Sequence, residues 1–360
     1  MKIAILGTRG IPNNYGGFEQ FAQYLSIGLT EIGHKVSVYN SHNHPFQKNT
    51  WKGVNIIHCY DPEYIIGSAG QIIYDFNCII DSRKRDFDII LQLGYTSSSI
   101  SNLFIRKNVK VVTNMDGIEW KRTKFSNLAK YYLFIAERLC VRYTDYFIAD
   151  SIGIQEYIER TYNKKSTYIA YGAEEIPVPD SKLISKYGLE PNMYDLVVAR
   201  LEPENNIDMI IKGYLESERE RKLVIVGSMK TKFAKKISKY SSDVKFLDFI
   251  NNKLDLDALR CYSNLYFHGH SVGGTNPSLL EAMAASSFIC AHNNIFNKSI
   301  LNDEAFYFDN SEDITQLINK YDQSKRTRFV EKNHKKIKDD FSWKRIIEKY
   351  NSMFQEIIGS

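Results

Sequence analysis

A chain of 360 residues is about twice the usual size of one domain, and 43% hydrophobic with 25% charged side chains is a soluble, globular composition, which excludes disorder and predicts two compact units. The net charge of +5 is modest for this length and calls for no nucleic-acid partner. Five cysteines, Cys59, Cys78, Cys140, Cys261 and Cys290, stand far apart without a Cys-x-x-Cys pair, which argues against a disulfide framework or a zinc site and fits a reducing cytoplasm.

The opening run from Met1 to Gly7 is too short for a signal sequence or a membrane span and reads as a strand. Further apolar runs of strand length follow at Val36–Tyr39, Ile89–Gln92, Lys110–Asn114 and Tyr146–Ala149. They alternate with helical stretches, which predicts an α/β unit with a parallel sheet. Phe18 to Ile32 places Phe18, Phe21, Ala22, Leu25, Leu29 and Ile32 on one helical face before Gly33, so it is the first crossover helix. Between Lys121 and Arg142 the bases Lys121, Arg122, Lys124, Lys130, Arg138 and Arg142 face one acid, Glu137, and are interleaved with aromatics. Such a helix suits an anionic bilayer, or else is an ordinary solvated helix packing its apolar stripe on the core.

Pro177 and Pro179 in a polar stretch after Gly172 mark a linker, giving a first domain over 1–172 and a second over 173–342. The second repeats the strand pattern at Asp195–Ala199, Lys222–Val226, Lys245–Leu247, Leu265–Phe267, Phe288–Ala291 and Ala305–Phe308. A last helix over 343–360, with Ser342 as N-cap, would pack back on the first domain. The expected fold is two Rossmann-like, doubly wound parallel-sheet domains.

In such sheets ligands bind beyond the carboxyl ends of the strands. After the first strand, Gly7-Thr8-Arg9-Gly10-Ile11-Pro12-Asn13-Asn14-Tyr15-Gly16-Gly17-Phe18 is a glycine loop entering a helix, able to receive an anion or a sugar hydroxyl. It lacks the dinucleotide spacing, and the second strand ends in Tyr39-Asn40-Ser41-His42 with no ribose-binding acid. Asp116 and Asp150 follow later strands; a turn or capping role is the alternative for each. In the second half Arg200 follows a strand, where a diphosphate would need neutralising. The stretch His268-Gly269-His270-Ser271-Val272-Gly273-Gly274-Thr275-Asn276-Pro277-Ser278 then forms a strand end, a glycine turn and a helix start, whose amides around Gly274 to Ser278 would face a pyrophosphate. Glu281, amid Leu279, Leu280, Ala282 and Met283, needs a partner such as a ribose hydroxyl to be buried there. Two Asp-x-Asp pairs, Asp86/Asp88 and Asp255/Asp257, read as solvated or capping acids, and His268 and His270 have no third ligand nearby, so no metal site is expected.

On the Gly7–Pro12 and Tyr15–Glu19 loop, the Asp116-Gly117-Ile118-Glu119-Trp120 stretch and the His270–Pro277 turn, the chain resembles the retaining nucleotide-sugar glycosyltransferases of family four, over nearly its whole length and most narrowly their bacterial rhamnosyltransferase branch. That resemblance implies a GT-B fold whose two domains face each other across a cleft, and no cofactor. It also implies a dTDP-L-rhamnose donor and an undecaprenyl-diphosphate-linked sugar acceptor, used at the inner face of the plasma membrane by a peripheral enzyme. It places the donor on Arg200, Gly273, Gly274, Thr275, Asn276, Pro277, Ser278 and Glu281. Asp116, Asp150 and Tyr171 join Arg200 as catalytic residues, and Arg9, Tyr15, Gly16, Gly17 and Glu119 form the acceptor loop. Two positions depart from the wider family: Gly273 stands where the first of two glutamates is usual, and Asn205 where a lysine is. A nucleotide-sugar epimerase and a non-catalytic sugar-binding subunit are the alternative functions.

Overall fold

A computed structural model describes every residue except Tyr15, Thr123, Lys124, Arg219 and Ser360. The chain divides into two compact units, one of Met1–Lys121, Phe125–Gly172 and Trp343–Ser360, the other of Arg122–Lys124 and Ala173–Ser342.

The sheet of the first unit holds β1 (Lys2–Leu6), β2 (Lys35–Ser41), β3 (Thr50–Trp51), β4 (Val54–Cys59), β5 (Ile89–Leu93), β6 (Lys110–Asn114), β7 (Tyr146–Ala149) and β8 (Ser166–Tyr168). Their spatial order is β3-β4-β2-β1-β5-β6-β7-β8. All pairs are parallel except β3 with β4. Central β1 sets Ile3 beside Val36 and Ile89, and its residues from Ile3 to Leu6 are fully buried. A strand flanked by parallel neighbours and covered on both faces reads as a continuous apolar run, which is why it is visible in the sequence. Strands β4 and β8 escape that reading because Asn55 and His58 interrupt the first and Ser166-Thr167-Tyr168 is polar throughout.

The helix Gly17–Glu31 buries Phe21, Ala22, Leu25 and Leu29. Against it lies the C-terminal helix Trp343–Gly359, whose buried Trp343, Ile346, Tyr350, Met353, Phe354 and Ile357 recur at helical spacing. Trp343 stacks on Tyr24 with ring centroids 4.5 Å apart and 7° between planes, and Phe21 packs on Trp343 and Tyr350 at 5.8 and 5.5 Å. A Cβ on Gly172 would come within 2.5 Å of the Trp343 ring, so the chain passes this indole only as glycine.

The basic aromatic segment is shorter as a helix than the sequence suggests. The helix is Asn127–Tyr143, capped by Ser126, whose hydroxyl accepts from the Ala129 amide at 3.3 Å. Lys121 lies in a preceding 3-10 turn, Arg122 groups with the second unit, and Lys124 lies outside the described residues. Leu133, Ala136, Glu137 and Cys140 form its buried face, while Leu128, Tyr131, Ile135, Arg138 and Arg142 are exposed at helical spacing on the opposite face.

The second unit holds β9 (Tyr194–Val198), β10 (Lys222–Val226), β11 (Lys245–Leu247), β12 (Tyr266–His268), β13 (Ile289–His292) and β14 (Phe306–Phe308). They form one parallel sheet in the order β11-β10-β9-β12-β13-β14, the doubly wound arrangement. Val197, Leu223, Ile225, Phe267 and Phe288 lie in its core.

Replacing Trp343 with alanine is expected to destabilise the chain by about 3 to 5 kcal/mol, because the ring is 8% exposed and no neighbour can fill its volume. Urea unfolding checks this. A loss under about 1 kcal/mol would mean that the C-terminal helix is held by other contacts.

Candidate active site

The adjacent strands β9 and β12 of the second unit send two loops from their carboxyl ends, and these carry most of the residues expected to bind the donor. The first loop turns at Arg200, whose carbonyl accepts from the Asn205 side-chain amide at 2.7 Å and the Glu202 amide at 2.8 Å. The Arg200 side chain is exposed. Asn205 is buried, so the residue standing in for the usual lysine is a strut of this turn. The second loop lies directly on it: a Cβ at Gly269 would come 2.2 Å from the Asn205 carbonyl oxygen. Ser271 ties the two loops by donating from its amide and hydroxyl to the Glu204 carbonyl at 3.1 and 2.8 Å.

His268 and His270 stack with ring centroids 4.3 Å apart and 14° between planes. Burial holds both imidazoles below their usual range, and the nearby Arg200 charge adds to the effect at His270, which falls to about 3. Both are therefore neutral near pH 7. Beyond them Gly273 takes φ +121°, a conformation that L side chains rarely adopt, so a glutamate at this position would be strained.

The helix Pro277–Ala284 begins at Asn276, whose side-chain oxygen accepts from the Ser278 amide at 2.9 Å. The Ser278 hydroxyl donates to the Val198 carbonyl at 3.1 Å and meets the Tyr266 hydroxyl at 2.9 Å. Both polar groups of Ser278 are thus engaged inside the unit, and this amide is taken by the helix cap.

Glu281 does have the partner that its apolar surroundings demand, and it is a residue that the sequence did not single out. Its Oε2 lies 2.6 Å from Nη2 of Arg260, which is 3% exposed. Arg260 also faces Asp257 at 3.7 Å and the Ser278 hydroxyl at 3.4 Å. The expectation of solvated or capping acids at Asp255 and Asp257 therefore fails. Asp255 accepts from Lys186 at 2.5 Å and the Tyr187 hydroxyl at 2.9 Å, and Asp257 from Lys253 at 2.8 Å, both while buried. The Asp86/Asp88 pair is plainer: Asp86 is exposed and paired with Lys2, and Asp88 accepts the Lys2 amide at 2.7 Å.

In the first unit the loop after β1 is latched from three sides. Gly7, at φ +85°, lies so close to β5 that a Cβ would meet the Leu93 carbonyl oxygen at 2.3 Å. Asn40, at the strand end where a dinucleotide-binding fold keeps an acid, instead clamps both the amide and the carbonyl of Ile11 at 3.1 and 2.8 Å. Glu19 accepts the Arg9 amide at 3.0 Å, and the Arg9 guanidinium forms a two-point pair with Glu63 at 2.8 and 2.7 Å. Gly16 precedes and Gly17 begins the first helix, while Tyr15 lies outside the described residues.

Asp116, Asp150 and Tyr171 share one neighbourhood in this unit. Asp116 takes φ 56°, supported by its amide donating to the Asn114 side chain at 3.1 Å. Non-glycine residues held there cluster at functional sites. Asp150 is fully buried at the end of β7. The Tyr171 phenol packs on Phe21 at 5.1 Å and is pushed far above its usual range, by burial first and then by the charges of Asp116 and Asp150. Its hydroxyl therefore stays protonated near neutral pH. Tyr350, unpredicted, joins the group by accepting from Asn114 at 3.4 Å. Glu119 stands apart from these, its amide donating to the Tyr95 hydroxyl at 3.1 Å.

Residues 1–174 match the family described as Domain of unknown function (DUF1972), and residues 183–338 match Glycosyl transferases group 1. An uncharacterized glycosyltransferase of Methanocaldococcus jannaschii, MJ1069, is 25% identical over 322 residues, which is 77% of either chain. Among solved structures, sucrose-phosphate synthase of Thermosynechococcus elongatus superposes with a TM-score of 0.82 at 14% identity over 99% of both chains. The HepE protein of Anabaena, solved with UDP, gives 0.74 at 16% identity over 99% of this chain and 100% of that one. The architecture is the GT-B fold. With the group 1 match in its second unit, this chain is a glycosyltransferase of the GT-B type.

Removing Arg260 or Glu281 alone should each destabilise the second unit, and removing both should cost less than the two losses summed, with a coupling of about 1 to 3 kcal/mol. A double-mutant cycle by denaturant unfolding checks this; additive losses would mean that the pair does not organise the site. A second expectation concerns pH. The unfolded chain takes up a proton at His270 below about pH 6.5, and the folded chain only near 3. This histidine therefore contributes nothing above pH 6.5 and reduces stability progressively as the pH falls from there towards 3. His270→Gln should flatten that slope, and an unchanged slope would show the imidazole titrating normally in the fold.

Proposed function

We propose that this enzyme transfers L-rhamnose from dTDP-L-rhamnose to a lipid-diphosphate-linked sugar, with retention and without a metal ion, beside an anionic membrane. The observation that carries the donor side is the Arg260–Glu281 pair, which fixes a carboxylate in the helix that follows a glycine turn. Glu281 keeps acceptor capacity for the ribose hydroxyls, since its side chain is 27% exposed. Arg200 and the turn from Gly273 to Asn276 would meet the departing diphosphate as charge builds on it. HepE solved with UDP-glucose and a trehalose-6-phosphate protein of Escherichia coli bound to UDP-2-fluoro glucose support a nucleotide-sugar donor on this fold. The choice of rhamnose rests on the sequence resemblance alone.

The first unit supplies the acceptor's groups. Asp116 and Asp150 orient the attacking hydroxyl and the Tyr171 phenol donates to it, while the proton passes to the leaving phosphate oxygen, as suits a retaining transfer. Structural likeness to WaaG, a glycosyltransferase involved in lipopolysaccharide biosynthesis, with a TM-score of 0.73 at 13% identity, fits an acceptor from surface polysaccharide. No helix among the described residues is long and apolar enough to cross a membrane. The membrane contact would be the outer face of helix 127–143, where Leu128, Tyr131 and Ile135 stand exposed with Arg138 and Arg142. An epimerase would change the nucleotide sugar with no acceptor present, and that incubation separates the two readings.

Glu281→Gln should fold but bind dTDP-L-rhamnose about tenfold or more weakly, since a hydrogen bond to a charged acceptor is worth about 1.5 to 3 kcal/mol. Calorimetry reads this directly. Transfer should persist in excess chelator; activity abolished by chelation and restored by magnesium would overturn the metal-free mechanism.

Changing Arg138 and Arg142 together to glutamine should weaken binding to anionic vesicles roughly thirtyfold, at about 1 kcal/mol for each base, and less so at high salt. Turnover of a short water-soluble acceptor should be unaffected. Unaltered vesicle binding would remove this face from the membrane contact.

A further inference from the structure

A cavity of about 340 Å³ opens in the first unit beyond the carboxyl ends of β1, β2 and β4. Its walls come from the loop after each strand: Arg9 and Asn14, then Asn43 and His44, then Asp61, Glu63 and Tyr64, with Glu19 from the first helix. Its volume lies in the range of small-molecule sites.

The charge of this cavity sets its ligand. Three carboxylates, Glu19, Asp61 and Glu63, face a single guanidinium, and that one is spoken for by the two-point pair between Arg9 and Glu63. Arg9 in turn keeps the Glu63 carboxyl ionised, holding it below the usual carboxylate range. Nor does His44 supply positive charge. Its Nδ1 accepts from the Phe46 amide at 3.1 Å and its Nε2 donates to the Pro12 carbonyl at 3.2 Å, an arrangement that only the neutral ring satisfies, and burial lowers its pKa as well. The lining is therefore net negative and hostile to phosphate or carboxylate ligands.

The remaining surface suits hydroxyl groups and an apolar ring face. Asn14 and Asn43 offer amide donors and acceptors. Asp61, 4% exposed, spends one oxygen on the Glu63 amide at 2.9 Å and as a carboxylate can accept further hydrogen bonds. At the rim Tyr64 is 67% exposed, with His42 6.0 Å from its ring and Tyr60 5.0 Å from His42. An exposed aromatic face beside convergent hydroxyl partners is a stacking platform for a pyranose ring. Among the described residues, no group of three or more His, Cys, Asp or Glu side chains is disposed to hold a metal ion.

We infer that this cavity is a subsite for an uncharged sugar ring and excludes anionic groups. Read with the proposed transfer, on which this last step rests, it seats a neutral sugar of the acceptor while the acceptor's diphosphate lies outside it.

The test uses the full chain and ligand-observed NMR titration with methyl α-L-rhamnoside, methyl N-acetyl-β-D-glucosaminide, methyl β-D-glucuronide and inorganic pyrophosphate. At least one neutral glycoside should bind, the glucuronide at least tenfold more weakly, and pyrophosphate should not compete. Tyr64→Ala, at an exposed position, should weaken the neutral glycoside about tenfold with the melting temperature unchanged. Glu63→Gln, which releases the Arg9 guanidinium, should narrow the gap between glucuronide and neutral sugar, a change that mere loosening of the loop would not produce. Failure of every neutral glycoside to bind, a glucuronide bound as tightly as they are, competition by pyrophosphate, or indifference to Tyr64→Ala would each overturn the inference. Nucleotide-sugar binding, measured on the same samples, keeps the two readings apart. Glycoside binding without it sinks the transferase reading and leaves the subsite standing, and the reverse sinks the subsite alone.

Discussion

The guanidinium of Arg260 is removed from water in the middle of the second unit, and a buried charge of this kind costs several kcal/mol unless it is paired. Its partners come from two helices: Asp257 lies one turn earlier on its own helix, and Glu281 and Ser278 lie on the helix Pro277–Ala284. The guanidinium therefore fixes both the rotation and the depth of that second helix. Ser278 carries the constraint on to the sheet, through Tyr266 of β12 and the Val198 carbonyl of β9. The glycine turn ending at Asn276 leads straight into this anchored helix, so its backbone is placed before any ligand arrives. Preorganisation of that kind is what charge stabilisation at a leaving group needs.

Burial of charge shapes the first unit differently. Glu137 is fully buried and accepts from three phenols, Tyr95 at 3.0 Å, Tyr157 at 2.6 Å and Tyr162 at 2.5 Å. These bonds hold helix 127–143 to its unit. They also draw the segment's lone acid inward, so the outward face of helix 127–143 carries Leu128, Tyr131, Ile135 and the bases Arg138 and Arg142 without an acid among them. A core interaction thereby determines the sign of the surface.

Most strands that the sheet buries on both faces were legible, and β1, β6, β7 and β10 begin and end where their apolar runs do, as does the half-buried edge strand β11. The edge strands β3 and β8, and β4 beside the first of them, were not, since exposed or polar positions in them carry too little contrast with a loop. At the candidate site, residues that directly follow a strand, such as Arg200, Asp116 and Asp150, announce themselves by position. Arg260 does not, because it lies inside a helix of mixed charge where the Asp257 to Arg260 spacing looks like an ordinary surface pair. Only burial distinguishes it. Asn205 and Gly273 were visible as departures from a family pattern, and the structure supplies their reason: one braces the Arg200 turn, and the other takes a backbone conformation in which a glutamate would be strained.

Two loops of the same topology can differ in the ligands they admit, and size alone does not separate them. Charge does. In the second unit Arg200 stands exposed at a strand end, beside histidines that burial keeps neutral. In the first unit the corresponding loop after β1 also carries an arginine, but Glu63 neutralises it and Glu19 and Asp61 surround it. Two strand-end arginines in the same topological position thus have opposite surroundings. Anions are disfavoured at Arg9, because the nearest carboxylate lies within 2.7 Å of its guanidinium. The electrostatic character of the loop after β1 is thus set by a single ion pair and its two acidic neighbours, without any difference in the fold that carries it.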